Sequence, residues 1–166
     1  MVTPVIGTGL YEVVKSITVG ADVQGVTITD INIVEENYYI LYVIRKDTDH
    51  SALYLRFNND SGANYDYASI NGSVNTNQNY IHLRDAQYCV VYIIKNSANG
   101  YTYVHYTGTK YNAETAGGQG IYKVNTNITR INLLGSTSDA FGAGSKVILL
   151  RLLVWKKWLK SGKTGK

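Results

Sequence analysis

The chain has almost no cysteine, little proline and few fixed charges, and each shortage removes a class of protein. Of its 166 residues only Cys89 is a cysteine, so an intramolecular disulfide is impossible and a disulfide-stapled secreted scaffold is excluded. Cys89 lies in the apolar run Cys89-Val90-Val91-Tyr92-Ile93-Ile94, where a thiol is expected to pack as a small hydrophobe, not to act as a nucleophile. A lone proline, Pro4, excludes a proline-rich stalk or linker. Charged residues make up 17% of the chain, against roughly 25% in an average soluble domain. No helical apolar stripe of useful length occurs. The longest apolar stretch, Val147 to Trp155, is interrupted by Arg151 and is too short to span a bilayer. Met1 to Gly9 has neither the charged leader nor the apolar core of a secretory signal, so the expectation is a chain made in a cytoplasm and not exported by its own signal.

What is abundant points one way. With 15 Tyr, 16 Gly and many Thr and Asn, the composition is that of a β-rich protein with many turns. The length suits one domain with a proper core. The net charge of +4 is unevenly spread. Arg151, Lys156, Lys157, Lys160, Lys163 and Lys166 form a basic end without an acid, which leaves residues 1–150 with a net charge of −2. The expected organisation is one β-sandwich domain over residues 1–155 and a basic C-terminal tail over 156–166.

Period-two alternation predicts strands at 10–19, 24–33, 38–46, 51–57, 65–71, 87–96, 101–111, 120–124, 127–134 and 145–155. Turn clusters separate them at Lys46-Asp47-Thr48-Asp49, Asn58-Asn59-Asp60-Ser61-Gly62, Asn96-Ser97-Ala98-Asn99-Gly100, Thr115-Ala116-Gly117-Gly118 and Gly142-Ala143-Gly144-Ser145. Asn99-Gly100 is the best hairpin signal, because both residues tolerate positive φ. Tyr38–Ile44, Cys89–Ile94 and Val147–Trp155 are apolar on both faces and so need cover on both. Many short strands without helices indicate an all-β, jelly-roll-like antiparallel sandwich.

The usual catalytic and metal-binding patterns are missing. His50, His82 and His105 are predicted in a turn, a loop and a strand, and none has a second ligand at metal-binding spacing. Glu35 and Glu36 are neighbours, so on a strand they point to opposite faces and cannot work as a pair. No Gly-x-Ser-x-Gly elbow occurs. Ser161-Gly162-Lys163-Thr164 copies the end of a phosphate loop, but the first glycine of that motif would fall on Lys157. The oxygen-rich stretch Asn58 to Asp66 invites either a Ca²⁺ reading or a tight turn whose Asx side chains bond their own backbone; the second needs no terminal Glu. No enzyme, metal or cofactor is expected.

The tail is the remaining lead. Trp155, Trp158 and Leu159 fall at i, i+3 and i+4 among Lys156, Lys157 and Lys160. These six residues are the candidate partner or anchor contacts, either as a basic amphipathic segment or as a solvated tail whose Trp pair docks on the sandwich or on a neighbouring subunit. Nucleic-acid binding is not expected, since the basic residues are confined to the tail. The tyrosines could pack, line a subunit interface or stack on sugars.

Two phrases resemble structural domains of tailed-bacteriophage virions. One is Leu53-Tyr54-Leu55-Arg56-Phe57-Asn58-Asn59-Asp60, continued by Ser61-Gly62-Ala63-Asn64-Tyr65. The other runs from Ile128-Thr129-Arg130-Ile131-Asn132-Leu133 through Phe141-Gly142-Ala143-Gly144-Ser145 to Lys146-Val147-Ile148-Leu149-Leu150. The resemblance covers roughly residues 10–155, and the tail departs from it. It implies a virion protein assembled in a host cytoplasm, either a capsid decoration or a tail adhesin; decoration is favoured because one small domain without a fibre-forming stalk is expected. It also implies a homo-oligomer, often a trimer, in contact with other virion proteins such as the major capsid protein. The alternative from another class is a carbohydrate-binding, lectin-like module that takes a host surface glycan.

Overall fold

The computed structural model describes residues 11–34, 38–46, 51–110 and 114–153. Their alternating segments form two antiparallel sheets. In spatial order the larger contains β1 (Tyr11–Thr18), β12 (Lys146–Leu152), β3 (Tyr38–Ile44), β8 (Ala86–Lys95), β9 (Thr102–Lys110), β10 (Thr115–Tyr122), β5 (Tyr65–Ser69) and β6 (Val74–Gln78). The smaller contains β2 (Gly25–Ile28), β11 (Ile131–Gly135), β4 (Leu53–Phe57) and β7 (Ile81–His82). The expected all-β antiparallel sandwich is therefore what the chain forms.

One face of each sheet supplies a shared core. Leu41, Val43, Val91, Ile93, Val104 and Tyr106 meet Val26, Ile28, Leu55, Phe57, Ile81 and Leu133 in a single buried cluster. Fully burying an aliphatic or Phe side chain contributes roughly 1.5–3 kcal/mol, which offsets the ordering of the strands that carry it. Cys89 belongs to this cluster, and burial pushes its thiol up to about 12, so it stays protonated.

Several sequence expectations need correcting. Thr115-Ala116-Gly117-Gly118 is not a turn but the first half of β10. Its glycine content answers to packing: a Cβ on Gly120 would stand 2.8 Å from the Ile81 side chain, and one on Gly118 would stand 2.3 Å from the Ala68 carbonyl oxygen. Strands β6 and β7 were not foreseen, because β6 is a polar edge strand without an alternating face and β7 has only two residues. The strand expected over 24–33 stops at Ile28, since Asp30 adopts φ +59° and turns the chain. The strand expected over 127–134 starts only at Ile131, with Ile128 making an isolated bridge to Ile33. His82 lies on β7 and not in a loop. The β8–β9 hairpin forms where Asn99-Gly100 predicts it, but only Gly100 (φ +69°) uses the left-handed region. That loop is closed by Gly100 N–H donating to Asn96 O at 2.8 Å.

The stretch after β4 follows the tight-turn reading. Asn58 and Asn59 take φ +54° and +59°, and Asp60 N–H donates to Phe57 O at 2.9 Å, a hairpin-type turn with both central residues left-handed. Asp60 Oδ1 accepts from Gly62 N–H at 2.7 Å and Oδ2 from the Asn64 amide at 2.9 Å. Asn58 Oδ1 reaches across to accept from Thr129 N–H at 2.8 Å. The buried Tyr65 hydroxyl ties this turn to the core, accepting from Phe57 N–H at 2.9 Å and lying 3.2 Å from the carbonyls of Phe57 and Asp60. Tyr65→Phe keeps the ring but strands a buried N–H, so denaturant unfolding should show a loss of about 1–3 kcal/mol.

Candidate functional site

The larger sheet has a second face, turned away from the core, and its composition is unusual. Strand pairing places Ile40 beside Tyr92 and Tyr92 beside His105; Tyr38 stands beside Ile94, Ile94 beside Tyr103, and Tyr103 beside Ile121. On the neighbouring strands Ile148 and Leu150 lie against Tyr42 and Ile40. Across the outward-facing positions of β12, β3, β8, β9 and β10, Lys146 is the only Lys, Arg, Asp or Glu. The tyrosines are not hidden: Tyr38 is 45% exposed, Tyr88 56% and Tyr92 42%, and Val13 on β1 reaches 62%. Exposed apolar patches of this kind often mark interaction surfaces.

A groove of about 450 Å³ lies on this face over β8, β9 and β10. Tyr92, Ile94, Tyr103, His105, Gln119 and Ile121 line it. Tyr92 and His105 lie with ring centroids 6.2 Å apart and planes tilted by 33°. Asp66 closes one end, where Lys123 Nζ donates to its Oδ1 at 2.9 Å and holds the carboxyl below the usual carboxylate range. Flat aromatic and amide surfaces in an apolar setting can take up another flat apolar group by stacking and desolvation.

The second aromatic group lies at the edge between the sheets. Tyr54, Tyr67 and Tyr80 surround His82, at centroid distances of 5.2, 6.1 and 6.3 Å. Burial, and then the neighbouring Arg84 charge, lower the His82 pKa, so a neutral imidazole is favoured among the rings. The hydroxyl of Tyr106 donates to His82 O at 2.9 Å, which fixes β7 against β9. This group is a packing unit built from β4 and β7 of the smaller sheet, β5 of the larger and Tyr80 just before β7. Among the described residues, no three His, Cys, Asp or Glu side chains converge as a metal site would require, and no helix is long and apolar enough to cross a membrane.

Trp155, Lys156, Lys157, Trp158, Leu159 and Lys160 lie outside the described residues, as do Glu35, Glu36 and His50. The chain is described as far as Leu153, which is 48% exposed at the end of β12. Of the other histidines, His105 lines the groove and His82 the aromatic group. Sequence reasoning missed the groove residues as a set. Its signal was the double apolarity of Tyr38–Ile44 and Cys89–Ile94, but only the pairing register shows which side chains stand together. In comparison with known proteins, no family model matches the chain and no curated protein matches it.

Proposed function

We propose that this protein is a non-enzymatic structural module of a virion surface, a homo-oligomer that decorates or stabilises a viral capsid. The observation that carries the reading is the sparsely charged, tyrosine-rich outer face of the eight-stranded sheet. Eight strands about 4.8 Å apart and about seven residues long offer on the order of 800 Å², one side of a standard protein interface. The two sequence phrases that resemble phage structural domains also prove to be spatial neighbours: β4 pairs with β11, Phe57 opposite Ile131, and Asn58 joins their ends. A jelly-roll-like topology supports the same reading. Without β5, β6, β9 and β10, the remaining strands shuttle between sheets in the orders β1-β12-β3-β8 and β2-β11-β4-β7, as two interleaved Greek keys do. That architecture serves capsid and lectin domains alike, so the fold is an analogy and the outer face carries the argument. The resemblance implies trimers and contact with a major capsid protein; anchoring partly through Trp155 to Lys160 is read from the tail's own Trp and Lys spacing, which the resemblance does not cover.

Light scattering behind size exclusion is expected to give a multiple of the 18.4 kDa chain mass. A charge in the middle of the face, Val90→Lys, should shift the protein to monomers. A wild-type chain that is monomeric at high concentration, or a protein missing from purified particles, would sink the proposal. The groove favours a second reading, a glycan-binding module in which Tyr92 and Tyr103 stack on sugar rings. Glycan-array binding abolished by Tyr103→Ala would establish it.

A further inference from the structure

We propose that the fold makes Asn71 a site of spontaneous deamidation while protecting Asn99, and that the isoaspartate formed at Asn71 releases strand β6 from the rim of the groove. This goes beyond the virion reading and stands independently of it.

The chain has two Asn-Gly pairs, Asn71-Gly72 in the β5–β6 turn and Asn99-Gly100 in the β8–β9 turn. The reaction needs a backbone nitrogen to reach the side-chain amide before it, and glycine has no Cβ to obstruct that approach. The Gly72 nitrogen, its proton taken by hydroxide, attacks Asn71 Cγ. The Cγ–Nδ2 bond breaks, and ammonia leaves with a proton supplied by water. Water then opens the cyclic imide. Breaking the nitrogen's new bond to Cγ gives aspartate; breaking its old bond to the main-chain carbonyl gives isoaspartate, whose backbone runs through the former side chain.

The two pairs differ in what holds them. Asn99 is fixed at both ends of its amide: Oδ1 accepts from Tyr101 N–H at 2.9 Å and Nδ2 donates to the Tyr103 hydroxyl at 2.9 Å. Gly100 is buried, and a Cβ on it would stand 2.0 Å from the Asn125 side chain, so Asn125 crowds the attacking residue. Asn71 is exposed, and among the described residues nothing hydrogen-bonds its amide. A Cβ on Gly72 would meet nothing within 4 Å, and Ile70 and Val74 on either side are 64% and 72% exposed. Both glycine N–H groups are bonded within their turns, Gly72 to Ser69 O at 2.9 Å and Gly100 to Asn96 O at 2.8 Å, so that bond does not separate the pairs.

The position of the turn gives the modification its consequence. Gly72 N–H to Ser69 O and Ser69 N–H to Ser73 O (3.0 Å) close the loop, with Gly72 at φ +82°. An extra backbone atom between Asn71 and Gly72 cannot preserve both bonds. Strand β6 is an edge strand held only by β5, and its Val74 lines the groove. Isoaspartate therefore adds a carboxylate at the rim and loosens one wall.

The test incubates the full chain at mildly alkaline pH and body temperature, folded and in denaturant, and places the exchange of NH2 for OH by fragmentation mass spectrometry. In the folded chain Asn71 should convert at least about tenfold faster than Asn99, because two side-chain hydrogen bonds must break at Asn99 and none at Asn71. In denaturant the two rates should be alike. Equal rates in the folded chain, or faster conversion at Asn99, overturn the proposal. A difference that persists in denaturant also overturns it, since neighbouring sequence and not the fold then sets the rates. Hydrogen exchange of the isoaspartate fraction should lose protection over Val74–Gln78 while β8 and β9 keep theirs, and unchanged protection overturns the release of β6. Asn71→Gln, which closes no five-membered imide, should keep β6 protected through the same incubation; equal loss in that variant assigns the loosening to another cause and overturns the release as well. Mass and particle measurements on fresh protein are unaffected by these outcomes, so the virion reading stands or falls separately.

Discussion

Arg45→Leu should cost about 3–5 kcal/mol, a large share of the roughly 5–15 kcal/mol that stabilises an ordinary domain. Arg45 follows β3 and is only 2% exposed, yet it is an anchor between segments distant in sequence. Its Nε donates to Ala86 O at 2.9 Å, Nη2 to Ser51 O at 2.8 Å and Nη1 to Ala140 O at 3.4 Å, and the guanidinium carbon lies 5.9 Å from the centre of the Phe141 ring. Leucine fills part of the volume and leaves buried carbonyls without donors, which is the expensive half of losing a hydrogen bond. Lysine retains the charge but lacks the planar fork, so Arg45→Lys should fall between the two. The denaturant midpoint measures it. A midpoint within experimental error of wild type would show that water replaces the guanidinium without penalty.

A second large effect is expected at Gly118, for a steric reason. A Cβ there would stand 2.3 Å from the Ala68 carbonyl oxygen and 2.8 Å from the Tyr106 hydroxyl. The carbonyl belongs to the paired strand β5 and cannot rotate away, so Gly118→Val must push β5 from β10, at a cost of about 3 kcal/mol or more. Hydrogen exchange should then lose protection over Tyr65–Ser69 and Val74–Gln78 while β8 and β9 keep theirs, since those two strands pair with each other along nearly their whole length. Gly117→Val is the control. Its Cβ would point to the outer face with nothing nearer than 3.4 Å, so the same side chain one residue away should be tolerated. Equal damage at both positions would mean that strand propensity, not the clash, governs this segment.

The glycines of β10 also show where sequence reading stops. Gly117-Gly118 has the composition of a turn, and nothing local distinguishes a glycine that frees φ from one that makes room. The distinction rests on Ala68 and Ile81, which come close only after the sheets have paired and packed. His82 teaches the same lesson, because a two-residue strand has no period to detect. By contrast Asn58-Asn59-Asp60 was legible, since its left-handed turn and Asx hydrogen bonds are formed almost entirely by the residues themselves and their nearest neighbours.

The amino-acid sequence by itself determined the all-β class, most of the strands, and the double apolarity of Tyr38–Ile44 and Cys89–Ile94. Those follow from side-chain period and turn chemistry, which are local. Tertiary structure decided which apolar face meets the core and which stands open. It decided that Ile94, Tyr103 and Ile121 form one row. Register between strands far apart in the chain is set by the joint packing of both sheets, and no single segment carries it.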